Sequence, residues 1–84
     1  MAKAPKTPTY EEIFGRNLRA VRQMRRWSQE ELAFKVDMSP SYLSEVERGL
    51  RNPSIKHMGL LANALEVPLH ELMNPQYKFA FSDT

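Results

Sequence analysis

Apolar residues recur along the first part of the chain at the spacing of an amphipathic helix. Thr9 and Glu12 precede this segment and have the spacing of a capping box, in which each residue bonds the backbone of the other at a helix start. The apolar residues that follow are Ile13, Phe14, Leu18 and Val21. A recurrence every three to four residues predicts a helix with one buried face, and we expect it to end near Arg25.

Two shorter helices are predicted next, separated by a tight turn. Ser28 and Glu31 repeat the capping box, and the chain turns at residues 37–38. Ser39 suits the N-cap of the following helix, Pro40 its first position and Gly49 the position just past its end. The side chains predicted to face inward are Leu32, Ala33 and Val36 in one helix and Leu43 and Val46 in the other.

A fourth helix is predicted after Ser54, and Pro68 begins a short fifth helix. The residues expected inside are Ile55, Met58, Leu61, Ala62 and Leu65 in the fourth helix and Leu69 and Leu72 in the fifth. The sequence therefore predicts an all-α fold, a compact five-helix bundle over residues 9–74. Residues 1–8 are expected to form a flexible arm. Residues 75–84 alternate aromatic with small or polar residues and are expected to form an extended tail.

Composition limits the classes of protein that this chain can belong to. It has 84 residues and no cysteine, so one small core must be stabilised by packing without disulfides or thiolate metal sites, as in a reducing cytosol. No apolar run approaches the roughly 20 residues of a membrane span, and no signal peptide is evident. We therefore expect a cytoplasmic protein.

Catalytic and metal chemistry find little support in the sequence. His57 and His70 are the only histidines, and their spacing fits no metal site. No nucleophile and base stand out as a pair. We expect no enzymatic activity and no cofactor, and we interpret both histidines as surface residues of helices.

Basic residues are concentrated in two segments although the net charge is only +2. They are Arg16, Arg19, Arg22, Arg25 and Arg26 in the first segment and Arg48, Arg51 and Lys56 in the second. Such clusters suit a polyanionic partner, but they also occur on solvated helix faces. Charge alone does not decide between these interpretations.

The second and third predicted helices have the arrangement of a helix-turn-helix, whose second helix lies in the DNA major groove. Over residues 13–73 the sequence resembles the phage repressor/Cro (Xre-like) family, with a lambda-repressor-like DNA-binding domain. The resemblance rests on SQEELA, the E-x-G helix end, NPS and ANALEVPLHEL. Arg26 and Asp37 stand where the family usually has glycine. Asp tolerates a positive φ well, so we expect the turn at Asp37 to be preserved.

The resemblance implies which side chains read bases. Ser41, Ser44 and Glu45 match base-reading positions, and Tyr42 lies beside them. Glu45 can accept from cytosine N4, whereas Tyr42 can offer its hydroxyl or contact a thymine methyl. Each has a structural alternative. Ser39 and Ser41 can cap the helix, Tyr42 can pack on the core, and Glu45 can pair with Arg48 or Arg51.

Other positions of the family's pattern imply DNA backbone contacts and structural roles. The residues predicted to bind phosphates are Gln29, Arg48, Arg51, Asn52 and Lys56, the last together with backbone amides at the start of the fourth helix. Arg22 and Glu47 match a buried ion pair that links the first helix to the third. Trp27 matches a core leucine, and we expect it in the core.

These features predict a transcriptional regulator that binds a palindromic DNA operator as a homodimer. Among single-domain members, the chain most resembles the controller proteins of restriction-modification systems. The residues expected at the dimer interface are Leu60, Leu69, Met73, Tyr77 and Phe79, with Phe81 nearby. The aromatic residues can instead fold back on their own domain. A phage repressor or an antitoxin that sequesters a protein partner would look similar, and no small-molecule effector is evident.

Overall fold

A computed structural model describes residues 7–77 and contains five helices in this range. They are α1 (Tyr10–Met24), α2 (Gln29–Val36), α3 (Pro40–Glu47), α4 (Ile55–Leu65) and α5 (Leu69–Leu72). The all-α fold predicted from the sequence is confirmed. No helix between residues 7 and 77 is long and apolar enough to span a membrane. Most of the predicted arm, together with Phe79 and Phe81, lies outside the described residues.

Side-chain caps fix the starts of the four longer helices. The Thr9 hydroxyl accepts from the backbone N–H of Glu12, and the Glu12 carboxylate accepts from that of Thr9. Ser28 and Glu31 form the same reciprocal pair at the start of α2. The hydroxyls of Ser39 and Ser54 cap α3 and α4. These bonds satisfy N–H groups that a helix leaves without internal partners, which is why the caps mark the boundaries so well.

Left-handed residues follow four of the helices. Arg26, Asp37 and Glu66 have φ values of 61°, 58° and 62° after α1, α2 and α4, and Gly49 has a φ of 76° after α3. A side chain in this conformation costs about 1–2 kcal/mol relative to the right-handed form. The turn expected at Asp37 is therefore present, and Arg26 adopts a backbone conformation that favours glycine.

Apolar side chains from all five helices form one core. The buried core residues include Phe14, Leu18, Leu32, Leu43, Val46, Leu61, Leu65 and Leu72. The prediction for Ile55 is wrong, because its side chain is 74% exposed. Ile55 has the period of the inward face, but it begins α4, where no neighbouring element covers it. Met58 is half-buried against the core.

Two contacts of α1 position the helices around it. Asn17 is buried, and its amide donates to the carbonyl oxygens of Leu72 and Asn74, which fixes the end of α5. A Cβ atom at Gly15 would lie too close to the carbonyl oxygens of Val46 and Glu47. Glycine at this position therefore lets the backbones of α1 and α3 approach each other. Neither role was predicted from the sequence.

Candidate nucleic-acid interface

The two sides of α3 have different environments. Leu43 and Val46 are buried in the core, whereas Ser41 is exposed and Ser44 and Glu45 are half-buried. Pro40 at the first helical position has no N–H to satisfy and suits a helix start. The helix is thus anchored through one side and presents hydroxyl and carboxylate groups on the other. Such groups can donate to or accept from base edges.

A buried ion pair attaches α3 to α1. Arg22 donates from Nε to Oε2 of Glu47 at 2.6 Å and from Nη2 to Oε1 at 3.0 Å. Arg22 Nη1 also donates to the carbonyl oxygen of Trp27 at 2.8 Å, and Gln29 Nε2 donates to Glu47 Oε1 at 2.9 Å. One carboxylate therefore joins α1, α2 and α3. Gln29, predicted to bind phosphate, uses part of its amide in this network.

A second ion pair lies on the outer side of α3. Arg51 Nε donates to Glu45 Oε1 at 2.7 Å, and the two side chains are 53% and 35% exposed. The hydrogen bond that Arg51 donates to Glu45 raises the pKa of the Arg51 guanidinium. The alternative in which Glu45 pairs with Arg51 is thus the arrangement of the free chain. Pairs this exposed contribute about 0–1 kcal/mol, so DNA can replace the contact at little cost.

Tyr42 is held between its own core and two polar side chains. It is half-buried and packs against the core, and its hydroxyl lies 3.2 Å from Nδ1 of His57. The Arg51 guanidinium carbon lies 5.3 Å from the centre of the Tyr42 ring. His57 is half-buried and not simply a surface residue as the sequence suggested. The packing of α4 against α2, which itself packs against α3, brings it to Tyr42.

An open groove borders α1, α2 and α3 beside the outer side of α3. Its lining includes Arg19, Ser28, Gln29, Ser44 and Arg48. Arg19 and Arg48 are exposed, as is the carboxylate of Glu30 in the same lining, and the charge of Arg22 is balanced by Glu47. Two arginines near a helix start make this groove suitable for a phosphate. Arg19 was not assigned to DNA from the sequence, because the packing of α1 against α3 is what brings it to this groove.

The remaining predicted phosphate ligands are spread over the surface. Arg51 lies beside Tyr42, and Lys56 is exposed in the first turn of α4. Asn52 is also exposed, but it borders a different groove with Tyr10 and Glu11. The structure therefore brings Gln29 and Arg48 together at one groove, and it does not bring Asn52 to that groove.

The predicted dimer residues differ in exposure. Leu60 is 41% exposed on α4, whereas Leu69, Met73 and Tyr77 are half-buried and pack against the core of their own chain. Burial, and secondarily the charge of Glu71, raises the pKa of Tyr77. Leu60 is therefore the most available apolar residue of this set within residues 7–77.

Trp27 only partly fulfils its expected place in the core. It is half-buried and packs against the core, and the ammonium of Lys35 lies 4.5 Å from the centre of one of its rings. This geometry is a cation–π contact. Trp27 thus closes the core near the start of α2, and α2 places a charged side chain over its ring.

The fold and the position of α3 define a helix-turn-helix protein, and comparison with known proteins agrees. The sequence profile of the helix-turn-helix family matches residues 18–72. Control protein C.BamHI of Bacillus amyloliquefaciens is 36% identical over 63 residues, which cover 74% of this chain and 78% of that protein. The chain therefore belongs to the helix-turn-helix family, and the resemblance to Xre-like regulators is confirmed.

Solved structures show the same arrangement of helices. The restriction-modification controller protein C.AhdI of Aeromonas hydrophila superposes with a TM-score of 0.71 at 42% identity, covering 74% of this chain and 94% of that one. The biofilm regulator SinR, solved in complex with DNA, gives a TM-score of 0.69 at 35% identity, covering 73% and 98%. These relatives are named as controller and regulator proteins. The family match over residues 18–72 includes α2 and α3, which form the helix-turn-helix.

Proposed function

We propose that this protein is a sequence-specific transcriptional regulator that binds a palindromic DNA operator as a homodimer. The observation that carries the proposal is the two-sided environment of α3, anchored by Leu43, Val46 and Glu47 and presenting Ser41, Ser44 and Glu45. A helix held in this way can enter the major groove with its polar side toward the bases. A relative with the same fold has been solved on DNA.

Base reading and phosphate binding are divided between two sets of residues in this proposal. The residues that contact base edges in this proposal are Ser41, Tyr42, Ser44 and Glu45. Gln29, Arg48 and Arg19 hold a phosphate at the groove between α1, α2 and α3, while Arg51 and Lys56 bind the backbone on the other side of α3. Phosphate contacts position the protein, and base contacts select the sequence.

The salt dependence of DNA binding tests this division. A labelled duplex recovered by selection from a random pool should lose affinity steeply between about 50 and 200 mM salt, because bound phosphates release counterions. Arg48→Ala should weaken all duplexes alike and reduce the slope by about one per subunit. Arg16→Ala is the matched control, because Arg16 bonds the carbonyl of Pro75 near α5. A slope unchanged in Arg48→Ala, or reduced equally in Arg16→Ala, would contradict the phosphate assignment.

Dimerisation is proposed to involve Leu60, Leu69 and Met73, of which Leu60 is the most exposed. Two copies bound to half-sites about one helical turn apart read more sequence than one short helix can. Leu60→Glu should dissociate the dimer in analytical ultracentrifugation, because a carboxylate would be buried at the interface. Phe34→Glu is the control, since Phe34 is 88% exposed on α2. If Phe34→Glu dissociates the dimer and Leu60→Glu does not, the interface lies around Phe34 on α2 and the assignment to Leu60 is wrong.

The finer assignments rest on the relatives. Similarity to C.BamHI and C.AhdI favours control of restriction-modification genes, and it favours a regulator over an antitoxin that sequesters a protein. DNA binding, rather than catalysis, is the proposed activity, and the cytoplasm is the compartment where it is proposed to act. Sequencing of the DNA that the protein retains in cells would identify the controlled genes.

A further inference from the structure

Tyr42 and His57 form a contact that links the proposed base-reading surface to α4. Tyr42 is the third residue of α3, and His57 is the third residue of α4. Their rings meet edge to face with centres 5.8 Å apart and planes at 76°, and the hydroxyl lies 3.2 Å from Nδ1. Arg51 covers the Tyr42 ring from another direction. The hydroxyl is therefore held in place by packing, and the direction of its hydrogen bond remains to be set.

The protonation of Nδ1 sets that direction. A phenol has one donor and can also accept, whereas each imidazole nitrogen either donates or accepts according to tautomer and charge. When Nδ1 carries no proton it accepts the Tyr42 proton, which leaves the phenolic oxygen free to accept from an amino group of cytosine or adenine. When Nδ1 carries a proton it donates to Tyr42, and the Tyr42 proton is free to donate to guanine O6 or N7 or to thymine O4.

Charged groups surround His57 on several sides. Lys35 and Asp37 at the end of α2 line a groove with His57, and Lys56 is its neighbour on α4. Across Tyr42 lies the pair of Arg51 and Glu45. Histidine is the one residue type in this group that ordinarily changes charge between about pH 5 and 8. A comparison of DNA binding across this pH range is therefore a test of the contact between His57 and Tyr42.

We propose that His57 is a positioning residue for base recognition: its Nδ1 atom determines whether the Tyr42 hydroxyl donates or accepts at the DNA, and thereby which base pair is preferred there. The inference rests on the proposed function, because it concerns the same surface of α3. It assigns to His57 a role in specificity that acts through Tyr42, without contact between His57 and DNA.

The base preference at different pH values tests the inference. The probes are the duplex selected from a random pool and a panel derived from it by single base-pair substitutions. Their affinity ratios are compared at about pH 5.5 and pH 8, because a ratio cancels the general gain from added positive charge. At one base pair in each half-site, the ratio should change about fivefold or more, which is the lower end for one base contact. A ratio that does not change with pH in the parent protein would overturn the inference.

Three variants separate this role from a merely structural one. His57→Asn places an oxygen or nitrogen near the Nδ1 position but cannot titrate, and Tyr42→Phe removes only the hydroxyl. Both should remove the pH dependence of the ratio. His70→Asn should keep it, because that histidine is 81% exposed beside Glu71. Persistence of the same pH dependence in Tyr42→Phe would also overturn the inference.

NMR of the free protein distinguishes failure of the inference from failure of the proposed function. Nitrogen shifts of the imidazole report the tautomer of His57, and Tyr42→Phe should change them. If they do not change, the contact is absent and the inference fails, whatever the protein does with DNA. If they change but no duplex is preferred at either pH, the proposed function fails and the inference fails with it. If a duplex is preferred and its ratios ignore pH, only the inference fails.

Discussion

Two glutamates of α3 each pair with an arginine from outside the helix, and the two pairs differ mainly in burial. Glu47 pairs with Arg22 and Glu45 pairs with Arg51, with N–O distances of 2.6 and 2.7 Å. In the first pair the side chains of arginine and glutamate are 9% and 1% exposed, against 53% and 35% in the second. The two pairs therefore have nearly equal N–O distances but different solvent exposure. We expect their loss to have different effects on stability.

We propose that burial divides structural from binding roles on this short helix. The buried pair has further hydrogen bonds from Arg22 to Trp27 and from Gln29 to Glu47, so both charges keep their partners and α3 is fixed. Opening the exposed pair costs little free energy, because water already solvates both side chains. In this proposal, Glu45 leaves Arg51 to bind a base, and Arg51 leaves Glu45 to bind a phosphate. The pair of Arg22 and Glu47 stays closed and keeps α3 in position.

The largest predicted effect is the loss of one side of the buried pair. Arg22→Met should lower the free energy of unfolding by about 3–5 kcal/mol, because Glu47 would remain charged and buried. Arg51→Ala, the matched change in the exposed pair, should leave the free energy of unfolding nearly unchanged. Urea unfolding followed by circular dichroism measures both. Equal losses in the two variants would mean that burial does not separate the pairs.

Replacement of both members of the buried pair should sharpen the comparison. In Arg22→Met combined with Glu47→Leu, no unpaired charge remains, and apolar replacements of buried pairs are often neutral or stabilising. We expect the double variant to recover most of the stability lost in Arg22→Met, as measured by the same urea unfolding. A double variant as unstable as the single one would show that hydrogen bonds to the Trp27 carbonyl and Gln29 matter more than the uncompensated charge.

A smaller effect on stability is predicted for substitutions in the turn after α1, where Arg22 donates to the Trp27 carbonyl oxygen. Arg26 has a φ of 61° in this turn, and glycine would remove the strain of its side chain. Arg26→Gly should therefore raise the free energy of unfolding by about 1 kcal/mol. Asp37→Gly should gain less, since aspartate tolerates this conformation better. Thermal unfolding compares them, and a loss of stability in Arg26→Gly would show that its side-chain contacts outweigh the strain.

The helices could be predicted from the sequence because local signals agreed with the tertiary structure. Thr9, Ser28, Ser39 and Ser54 each cap a helix by a bond to a residue three positions on, so no knowledge of the fold was required. Ile55 shows the limit of this approach. Its spacing is that of a core residue, but burial depends on whether another element covers it.

The candidate site could be predicted less completely, because contacts between distant segments decide it. The family's pattern led to the prediction that Ser41, Ser44 and Glu45 face DNA, which stays a prediction. It did not indicate that Glu45 pairs with Arg51 rather than with Arg48. The hydrogen bond of Tyr42 to His57 joins residues 15 positions apart, and the groove places Arg19 beside Arg48. Neither follows from spacing along the chain, since both depend on how α1, α3 and α4 pack.

The most direct test of the account is the base preference of Glu45→Ala over the panel of single-substituted duplexes. If the exposed pair opens so that Glu45 reads a base, the variant should lose preference at one base pair in each half-site, worth about 1–3 kcal/mol, and keep its other preferences. Its free energy of unfolding should change by less than about 1 kcal/mol. A variant that weakens every duplex alike, or keeps the full preference, would contradict the separation of the two pairs into structure and recognition.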